Sequence, residues 1–283
     1  MRKGDHCMQI IDGKAYASEL RVSLKEKIEK SGIAPGLAVV LVGQDPASQI
    51  YVRNKIKACA EVGVRSYSYE LPATTSQAEL ETLLDELAVK PEINGILLQL
   101  PLPKGLNAES AMAKIPVEKD VDGFSAENLG LLALNKQGLI SCTPFGVMKL
   151  LERYGIDVAG KNAVVLGRSD TVGKPMALLL LNANATVTIC HSKTRNLKEI
   201  CKTADILVSA IGKPKFVTAD MVKDGAVVVD VGINRDENGK LCGDVDFENV
   251  AEKTSFITPV PGGVGPMTIT MLLYNTCVAT FKE

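Results

Sequence analysis

Apolar residues in the first half of the chain recur at two different spacings, which predict helices and strands in turn. Ala17, Leu20, Leu24 and Ile28 are spaced three and four apart, as on one face of an amphipathic helix covering residues 14–30. Short apolar or alternating runs predict strands at 37–43, 65–71 and 95–100. Two more helices fall between them, one ending at Gly63 and one opened by a capping box of Ser76 and Glu79. The order β-α-β-α-β predicts a largely parallel sheet.

The second half of the chain begins its own α/β pattern. An apolar strand at 163–166, a break at Gly167, a helix over about 172–181 and a strand at 186–190 predict a βαβ unit. Three further apolar strands follow within 204–212, 225–232 and 255–260. We therefore predict two α/β domains, the second a Rossmann-like doubly wound parallel sheet over 141–266. Residues 1–140 form the first domain, and an apolar C-terminal helix at 267–283 returns to it.

The turn after the strand at 163–166 is the candidate phosphate site. It brings backbone N–H groups and a helix N-terminus together, where negative charge is stabilised. Gly167 fills the first glycine position of a dinucleotide fingerprint, whereas Ser169 and Val172 occupy the second and third, and Gly173 comes one residue late. As a fingerprint this is weak, and any tight βα turn is the alternative interpretation.

The residues near the predicted ribose favour NADP over NAD. NAD-binding chains usually carry an acidic residue at the end of the second strand, but here that strand ends Cys190-His191-Ser192. Arg168 lies in the turn itself, and a guanidinium makes forked bonds to phosphate oxygens. The alternative interpretation of Arg168 is a solvated surface arginine.

Composition excludes several classes of function. The 283 residues carry a net charge of −1, which gives no electrostatic basis for binding nucleic acid or an anionic membrane. We expect no apolar run of membrane-spanning length and no signal peptide. Seven cysteines without a C-x-x-C motif predict reduced thiols in a cytoplasmic protein. With His6 and His191 as the only histidines, we expect no metal site.

Three groups of polar residues in the first domain could carry chemistry. Tyr51 and Lys55 share a helix face with Ser48, although a solvated lysine is the commoner role. Their Y-x-x-x-K spacing occurs in short-chain dehydrogenases, but there it follows the nucleotide fold, so we set that interpretation aside. Gln99 ends a buried strand and needs a partner. Asp120 and Asp122 flank a turn, where most aspartates cap backbone, although a carboxylate also matches the amino and N–H edge of a pterin.

Ten motifs along the chain resemble one known family, the bifunctional methylenetetrahydrofolate dehydrogenase/cyclohydrolases. They occur in the family's order, cover nearly the whole chain, and include QLPLP and PVPGGVGPMT, which are highly specific together. The others are YVRNKIKAC, KDVDGF, CTPFGV, VLGRSDTVGKP, TVTICHSKT, ADILVSAIGKP, VVDVGINR and GDVDF. The chain departs from the usual pattern at Asp170-Thr171, which stands where Asn-Ile is common and places an acid near the phosphate pocket.

The resemblance implies a role for each matched position. Lys55 would be catalytic, with Tyr51 and Gln99 beside it, and Asp122 would hold the pterin. The folate-contacting loop would be Pro261, Gly262 and Gly263. The cofactor positions would be Gly167, Arg168, Ser169, Ser192, Gly232 and Ile233.

The implied reaction has two steps. Hydride passes from 5,10-methylenetetrahydrofolate to NADP+, and water then opens the methenyl product to 10-formyltetrahydrofolate. The resemblance further implies a cytoplasmic homodimer formed through the cofactor domain, a role in one-carbon metabolism and purine biosynthesis, and no formyl-folate ligase domain. Two alternatives remain: a dehydrogenase that lacks the hydrolase step, and a catalytically idle nucleotide-binding module.

Overall fold

The computed structural model describes residues 8–282 and divides into two compact units. The three-strand unit comprises Ser18–Cys142 and residues 269–282. The six-strand unit comprises residues 8–17 and Thr143–Thr268. The predicted domains differ from this division mainly at residues 8–17, which the prediction assigns to the first domain.

The elements alternate along the chain much as the apolar pattern indicates. The helices are α1 (Gly13–Ser31), α2 (Pro46–Val62), α3 (Gln77–Val89), α4 (Ala108–Met112), α5 (Ala126–Ala133), α6 (Cys142–Arg153), α7 (Gly173–Asn182), α8 (Leu197–Cys201), α9 (Phe247–Ala251) and α10 (Val264–Phe281). The strands are β1 (Gln9–Ile10), β2 (Gly36–Val42), β3 (Arg65–Leu71), β4 (Gly95–Leu98), β5 (Asn162–Leu166), β6 (Thr186–Cys190), β7 (Ile206–Ser209), β8 (Val227–Asp230), β9 (Asn234–Arg235), β10 (Leu241–Cys242) and β11 (Phe256–Ile257).

The three-strand unit is a parallel sheet in the order β3-β2-β4. Its central strand β2 is buried throughout, as an all-apolar sequence requires. Local signals set the helix ends: Asp45 accepts from Ser48 N at the start of α2, and Gly63 ends that helix at φ +88°. The predicted capping box of Ser76 and Glu79 opens α3.

The six-strand unit is a parallel sheet in the order β1-β11-β8-β7-β5-β6. The chain goes from β5 outward to β6 and then returns to β7 on the other side of β5. This reversal makes the sheet doubly wound, as predicted, and places a topological switch point at the carboxyl ends of β5 and β7. Strand β1 was not predicted, and it extends the sheet beyond β11.

Helix α10 corrects one expectation from the sequence. Among the described residues it is long and apolar enough to cross a membrane by length and composition, and half of the helix is buried inside the protein. The expectation that no apolar run reaches that length is therefore wrong. Polar side chains on α10 are buried within the protein, and Asn275 Nδ2 donates to Val121 O at 2.9 Å and Ile140 O at 2.8 Å. These are the contacts of a core helix, and they attach it to the three-strand unit as predicted.

Candidate active site

The three-strand unit brings Lys55 and Gln99 together. Lys55 lies on the inward face of α2 and is only 9% exposed, so it is not the solvated lysine of the alternative interpretation. Its Nζ donates to Gln99 Oε1 at 3.1 Å. Gln99 follows β4, and its Nε2 donates to Leu100 O at 2.7 Å, which fixes the amide so that its oxygen faces the lysine. The half-buried glutamine therefore has the partner that its position required.

Asp120 and Asp122 have separate roles, which the sequence could not assign. Asp120 is buried, and its carboxylate accepts from the N–H groups of Gly123, Phe124 and Ser125 and from Asn128 Nδ2. Of the two aspartates, Asp120 is therefore the one that caps the backbone of the turn.

Asp122 is partly buried, and its role in binding the substrate stays a prediction. Burial raises the pKa of its carboxyl, and the nearby Lys55 charge opposes that rise. Asp122 and Lys55 thus lie close enough to interact electrostatically, as a shared site requires.

Cys142 is a neighbour of Asp122 that sequence reasoning missed. The thiol is 1% exposed, lies 3.3 Å from Val121 O and is within hydrogen-bonding reach of the Asp122 side chain. Burial raises the pKa of this thiol well above its ordinary value, and the Asp122 charge adds to the effect. The thiol therefore stays protonated, and its proton is donated to Val121 O. Its only sequence signal was its place at the start of the CTPFGV motif.

Tyr51, the remaining residue of the predicted catalytic set, lies on α2 at an exposed position. It precedes Lys55 by one helical turn and is 41% exposed, whereas Ser48 on the same helix is buried. Tyr51, Lys55, Gln99 and Asp122 all belong to the three-strand unit. Their catalytic and substrate-binding roles stay predictions.

The glycines of the predicted phosphate turn permit a close approach at the switch point. Gly167 has φ +115°, and a Cβ there would lie 2.3 Å from Ala210 O, in the turn after β7. A Cβ on Gly173 would lie 2.3 Å from Gly167 O. Gly173, rather than Val172, therefore lets α7 pack against the turn, which explains why the fingerprint is one residue late.

The predicted 2′-phosphate residues lie at the surface of this turn. Arg168 and Ser192 are both exposed at the carboxyl ends of β5 and β6. Ser169 Oγ accepts from Val172 N and Gly173 N at 3.2 Å each and so caps the start of α7. Asp170, which would place an acid near the phosphate, is paired with Lys174 one turn along. Because its charge is paired, Asp170 is less able to repel a phosphate, so its presence counts less against NADP as the cofactor.

The other predicted cofactor and substrate positions also lie in the six-strand unit. The Gly232–Ile233 turn follows β8, where Gly232 is buried and Ile233 is 49% exposed. The Pro261–Gly263 loop precedes α10, and Gly262, at φ +105°, accepts from Lys14 N at 2.8 Å. Among residues 8–282 no group of three or more metal-ligating side chains is suited to a metal ion, and His6 lies outside that range.

These features define a class of protein. Ligands of doubly wound sheets bind at the switch point, and here that point is lined by glycines with positive φ or no room for a Cβ. A separate unit holds a buried amine against a neutral amide. The class is a two-domain, dinucleotide-dependent enzyme.

Comparison with known families identifies the particular one. Residues 11–122 match the tetrahydrofolate dehydrogenase/cyclohydrolase catalytic domain, and residues 141–283 match the NAD(P)-binding domain of the same family. The chain belongs to the tetrahydrofolate dehydrogenase/cyclohydrolase family, and the resemblance found in the sequence is confirmed.

Individual relatives agree over nearly the full chain. The bifunctional protein FolD of Campylobacter curvus is 61% identical over 272 residues, which span 95% of this chain and 94% of the relative. The crystal structure of the bifunctional FolD enzyme of Campylobacter jejuni superposes with a TM-score of 0.95 at 50% identity, covering 98% and 100% of the two chains. The Trypanosoma brucei enzyme, solved with an NADP cofactor and an inhibitor, gives a TM-score of 0.93 at 40% identity over 97% and 98%.

Proposed function

We propose that the enzyme oxidises 5,10-methylenetetrahydrofolate with NADP+ and then hydrolyses the methenyl product to 10-formyltetrahydrofolate. The observation that carries this proposal is the hydrogen bond of 3.1 Å from the buried Lys55 Nζ to Gln99 Oε1. An idle nucleotide-binding module has no use for a buried amine whose acceptor is itself fixed. The matching catalytic domain argues against that alternative as well.

The first step depends on orientation and charge more than on proton transfer. Loss of hydride from the methylene bridge leaves a cation that is delocalised over two nitrogens of the folate, so no base is required. Asp122 would hold the amino and N–H edge of the pterin through charge-assisted hydrogen bonds. The Cys142 thiol, held in place by burial, would orient the carboxylate for this contact.

The second step requires protons to move, which assigns a role to Lys55. Water attacks the methenyl carbon and loses one proton, which leaves a hydroxyl on that carbon. The hydroxyl then loses its proton as the bond from this carbon to one folate nitrogen breaks, and that nitrogen takes up a proton, so one proton is released overall. Lys55 Nζ would act as the general base and acid for these transfers. Gln99 Oε1 would hold the amine in position, because the bond from Gln99 Nε2 to Leu100 O at 2.7 Å prevents the amide from turning. Tyr51, one turn away and partly exposed, would line the substrate's side of the amine.

The six-strand unit fits NADP as the cofactor. Gly167 leaves backbone room at the switch point, and α7 has no acidic residue in its first turn to repel a phosphate. Arg168 and Ser192 would hold the 2′-phosphate, while the Gly232–Ile233 turn would border the other half of the molecule. NADP+, when bound, accepts the hydride of the first step.

The assembly we propose is a homodimer through β6. This strand is one of the two edges of the six-stranded sheet, and an uncovered edge presents unpaired backbone groups. Ile189 on β6 is 41% exposed and Leu181 on the preceding helix is 55% exposed. Ile189→Glu should therefore give a monomer in light scattering, whereas Val89→Glu, at an apolar position on α3 that is 81% exposed, should leave a dimer. A wild-type monomer would contradict the proposal.

The cellular setting we propose is the cytoplasm. Six cysteines among the described residues are free thiols, which suits a reducing compartment: Cys59, Cys142, Cys190, Cys201, Cys242 and Cys277. The product, 10-formyltetrahydrofolate, is a formyl donor, which supports the proposal that the enzyme acts in one-carbon metabolism and supplies purine biosynthesis. Cell fractionation followed by an activity assay tests the location, and activity confined to a membrane or secreted fraction would contradict it.

The activity itself is tested on the wild-type protein. With 5,10-methylenetetrahydrofolate and NADP+, absorbance of the methenyl product and of NADPH should rise, and the methenyl absorbance should then fall faster than in enzyme-free solution. NAD+ should support a lower kcat/KM than NADP+. A methenyl product that decays only at the spontaneous rate would favour the dehydrogenase that lacks the hydrolase step.

A further inference from the structure

Two buried aspartates in the six-strand unit have no part in the proposed reaction. Asp230 ends β8 and is 3% exposed, and Asp244 follows β10 and is 0% exposed. Buried carboxylates are costly unless they are fully hydrogen-bonded. Their bonding partners therefore indicate what the two residues are for.

Asp244 collects hydrogen bonds from the turn that follows β7. Its Oδ2 accepts from Ile211 N at 2.8 Å, Gly212 N at 3.3 Å and Ser209 Oγ at 3.1 Å. Its Oδ1 accepts from Lys213 N at 2.9 Å. Three successive backbone N–H groups are thus tied to one carboxylate, so the path of this turn depends on Asp244.

The same carboxylate also holds the turn that follows β8. Asn234 Nδ2 donates to Asp244 Oδ1 at 2.9 Å. Gly232 packs so closely that a Cβ there would lie 2.2 Å from Asp244 Oδ1. Asp244 therefore connects two turns that are adjacent in the sheet but distant in the sequence.

Asp230 holds Asp244 in place from the other side. Its carboxylate accepts from Asp244 N, Val245 N and Gly232 N at 2.9 Å each. A Cβ on Gly243 would lie 1.9 Å from Asp230 Oδ2, so the glycine before Asp244 is needed for this approach. The two aspartates form one connected network behind the carboxyl edge of the sheet.

The location of the network gives it a function. The turns after β7 and β8 lie at the carboxyl edge, where ligands of doubly wound sheets bind. The Gly167 turn, next to Ala210, and the exposed Arg168 would take the adenosine half of the cofactor. The nicotinamide half would then extend over the turns that Asp244 holds.

We propose that Asp244 is a positioning residue that fixes the two turns bordering the nicotinamide half of the NADP site. Because it is fully buried, it would act through the groups that bond to it, the backbone of Ile211–Lys213 and Asn234. This inference rests on the proposed function, because it takes NADP as the ligand of the switch point.

The substitution Asp244→Asn tests the proposal with little change of shape. An amide nitrogen cannot accept hydrogen bonds, so some of the five donors now facing the carboxylate would lose their acceptor and the turns would shift. We expect the Kd for NADPH, measured by fluorescence titration, to rise by about tenfold or more. Hydrolysis of methenyltetrahydrofolate without nucleotide, whose predicted catalytic side chains all belong to the three-strand unit, should stay within about twofold of wild type.

Asp205→Asn is the matched control. Asp205 belongs to the same sheet but precedes β7, at the opposite, amino edge, where it accepts from Asn162 N at 2.9 Å and pairs with Lys223. The control makes the same chemical change and should lower the melting temperature while leaving the Kd for NADPH unchanged. Asn234→Ala, at a partly exposed position, is the second variant; it should raise that Kd by about threefold without unfolding the protein.

The outcomes separate the possible explanations. A raised Kd with retained hydrolysis in Asp244→Asn and in Asn234→Ala supports positioning. Equal loss of NADPH binding and hydrolysis in both variants, or an unchanged Kd in both, would overturn it. If wild type itself binds no NADPH, the proposed function fails rather than the role of Asp244.

Discussion

Asp230→Asn should change the way the stability of the six-strand unit depends on pH. Burial raises the pKa of Asp230 from 3.8 to about 6, even though the N–H groups of Asp244, Val245 and Gly232 favour its charged form. The nearby Asp244 charge adds to the rise. Asparagine keeps the shape and removes the titration, so the difference between the two proteins isolates this one group.

The sign follows from proton binding. Because the folded pKa lies above the unfolded one, the folded state binds more protons between the two values, and stability falls as the pH rises through that window. A shift from 3.8 to about 6 corresponds to roughly 3 kcal/mol in total. Since most of the proton is still bound at pH 5 and almost none at pH 7.5, about 1.4 kcal/mol of this should be lost between those two conditions.

Urea unfolding at pH 5 and at pH 7.5 measures this change. The free energy of unfolding of the wild type, relative to Asp230→Asn, should fall by about 1.4 kcal/mol as the pH rises. Asp205→Asn is the control, because a hydrogen bond from Lys223 lowers the pKa of Asp205 and its contribution is lost only in stronger acid. A wild-type advantage that stays flat or grows with pH would refute the burial argument for Asp230.

Three substitutions test the site residues. Asp122→Asn should weaken folate binding by about tenfold to a hundredfold, because it removes a charge-assisted pair. NADP+ affinity should hold, and unchanged folate affinity would make Asp122 a turn residue. Arg168→Ala should raise the Kd for NADP+ by about tenfold and leave that for NAD+ nearly unchanged, and equal losses would contradict the 2′-phosphate assignment. Gln99→Leu removes the acceptor of Lys55 Nζ and should slow hydrolysis by about tenfold more than hydride transfer, whereas equal slowing would count against a tuning role.

The long elements could be predicted because local residues determine them. The apolar spacing of α1, the Ser76–Glu79 capping box and the stop at Gly63 act over one or two turns. The alternation of strands and helices predicted the parallel sheets and the doubly wound order, because crossover connections between parallel strands are compatible with few other topologies. The Lys55–Gln99 contact could also be anticipated, because a buried strand end leaves a glutamine in need of a partner.

Other features depend on contacts that no local pattern reports. Strand β1 has two exposed residues, and only its pairing with β11, near the other end of the chain, makes it a strand. The role of Gly173 depends on a close approach in the folded chain, because a Cβ at this position would lie only 2.3 Å from Gly167 O. In the sequence, Asp230 and Asp244 look like ordinary acidic residues. Their hydrogen bonds form only when folding brings together the turns that they hold.

The central claim is that Lys55 transfers protons in the hydrolysis step and contributes much less to hydride transfer. The substitution Lys55→Met tests this claim most directly. Methionine keeps the apolar stem in the buried site but lacks the amine that bonds to Gln99. Both rates should be measured on one preparation, with hydrolysis corrected for the spontaneous reaction. A positioned acid and base contributes about 10²–10⁴-fold, so hydrolysis should fall by that factor while hydride transfer falls much less, and methenyltetrahydrofolate should accumulate. Hydrolysis at the wild-type rate in Lys55→Met would contradict the account, because the proton would then be transferred by another group.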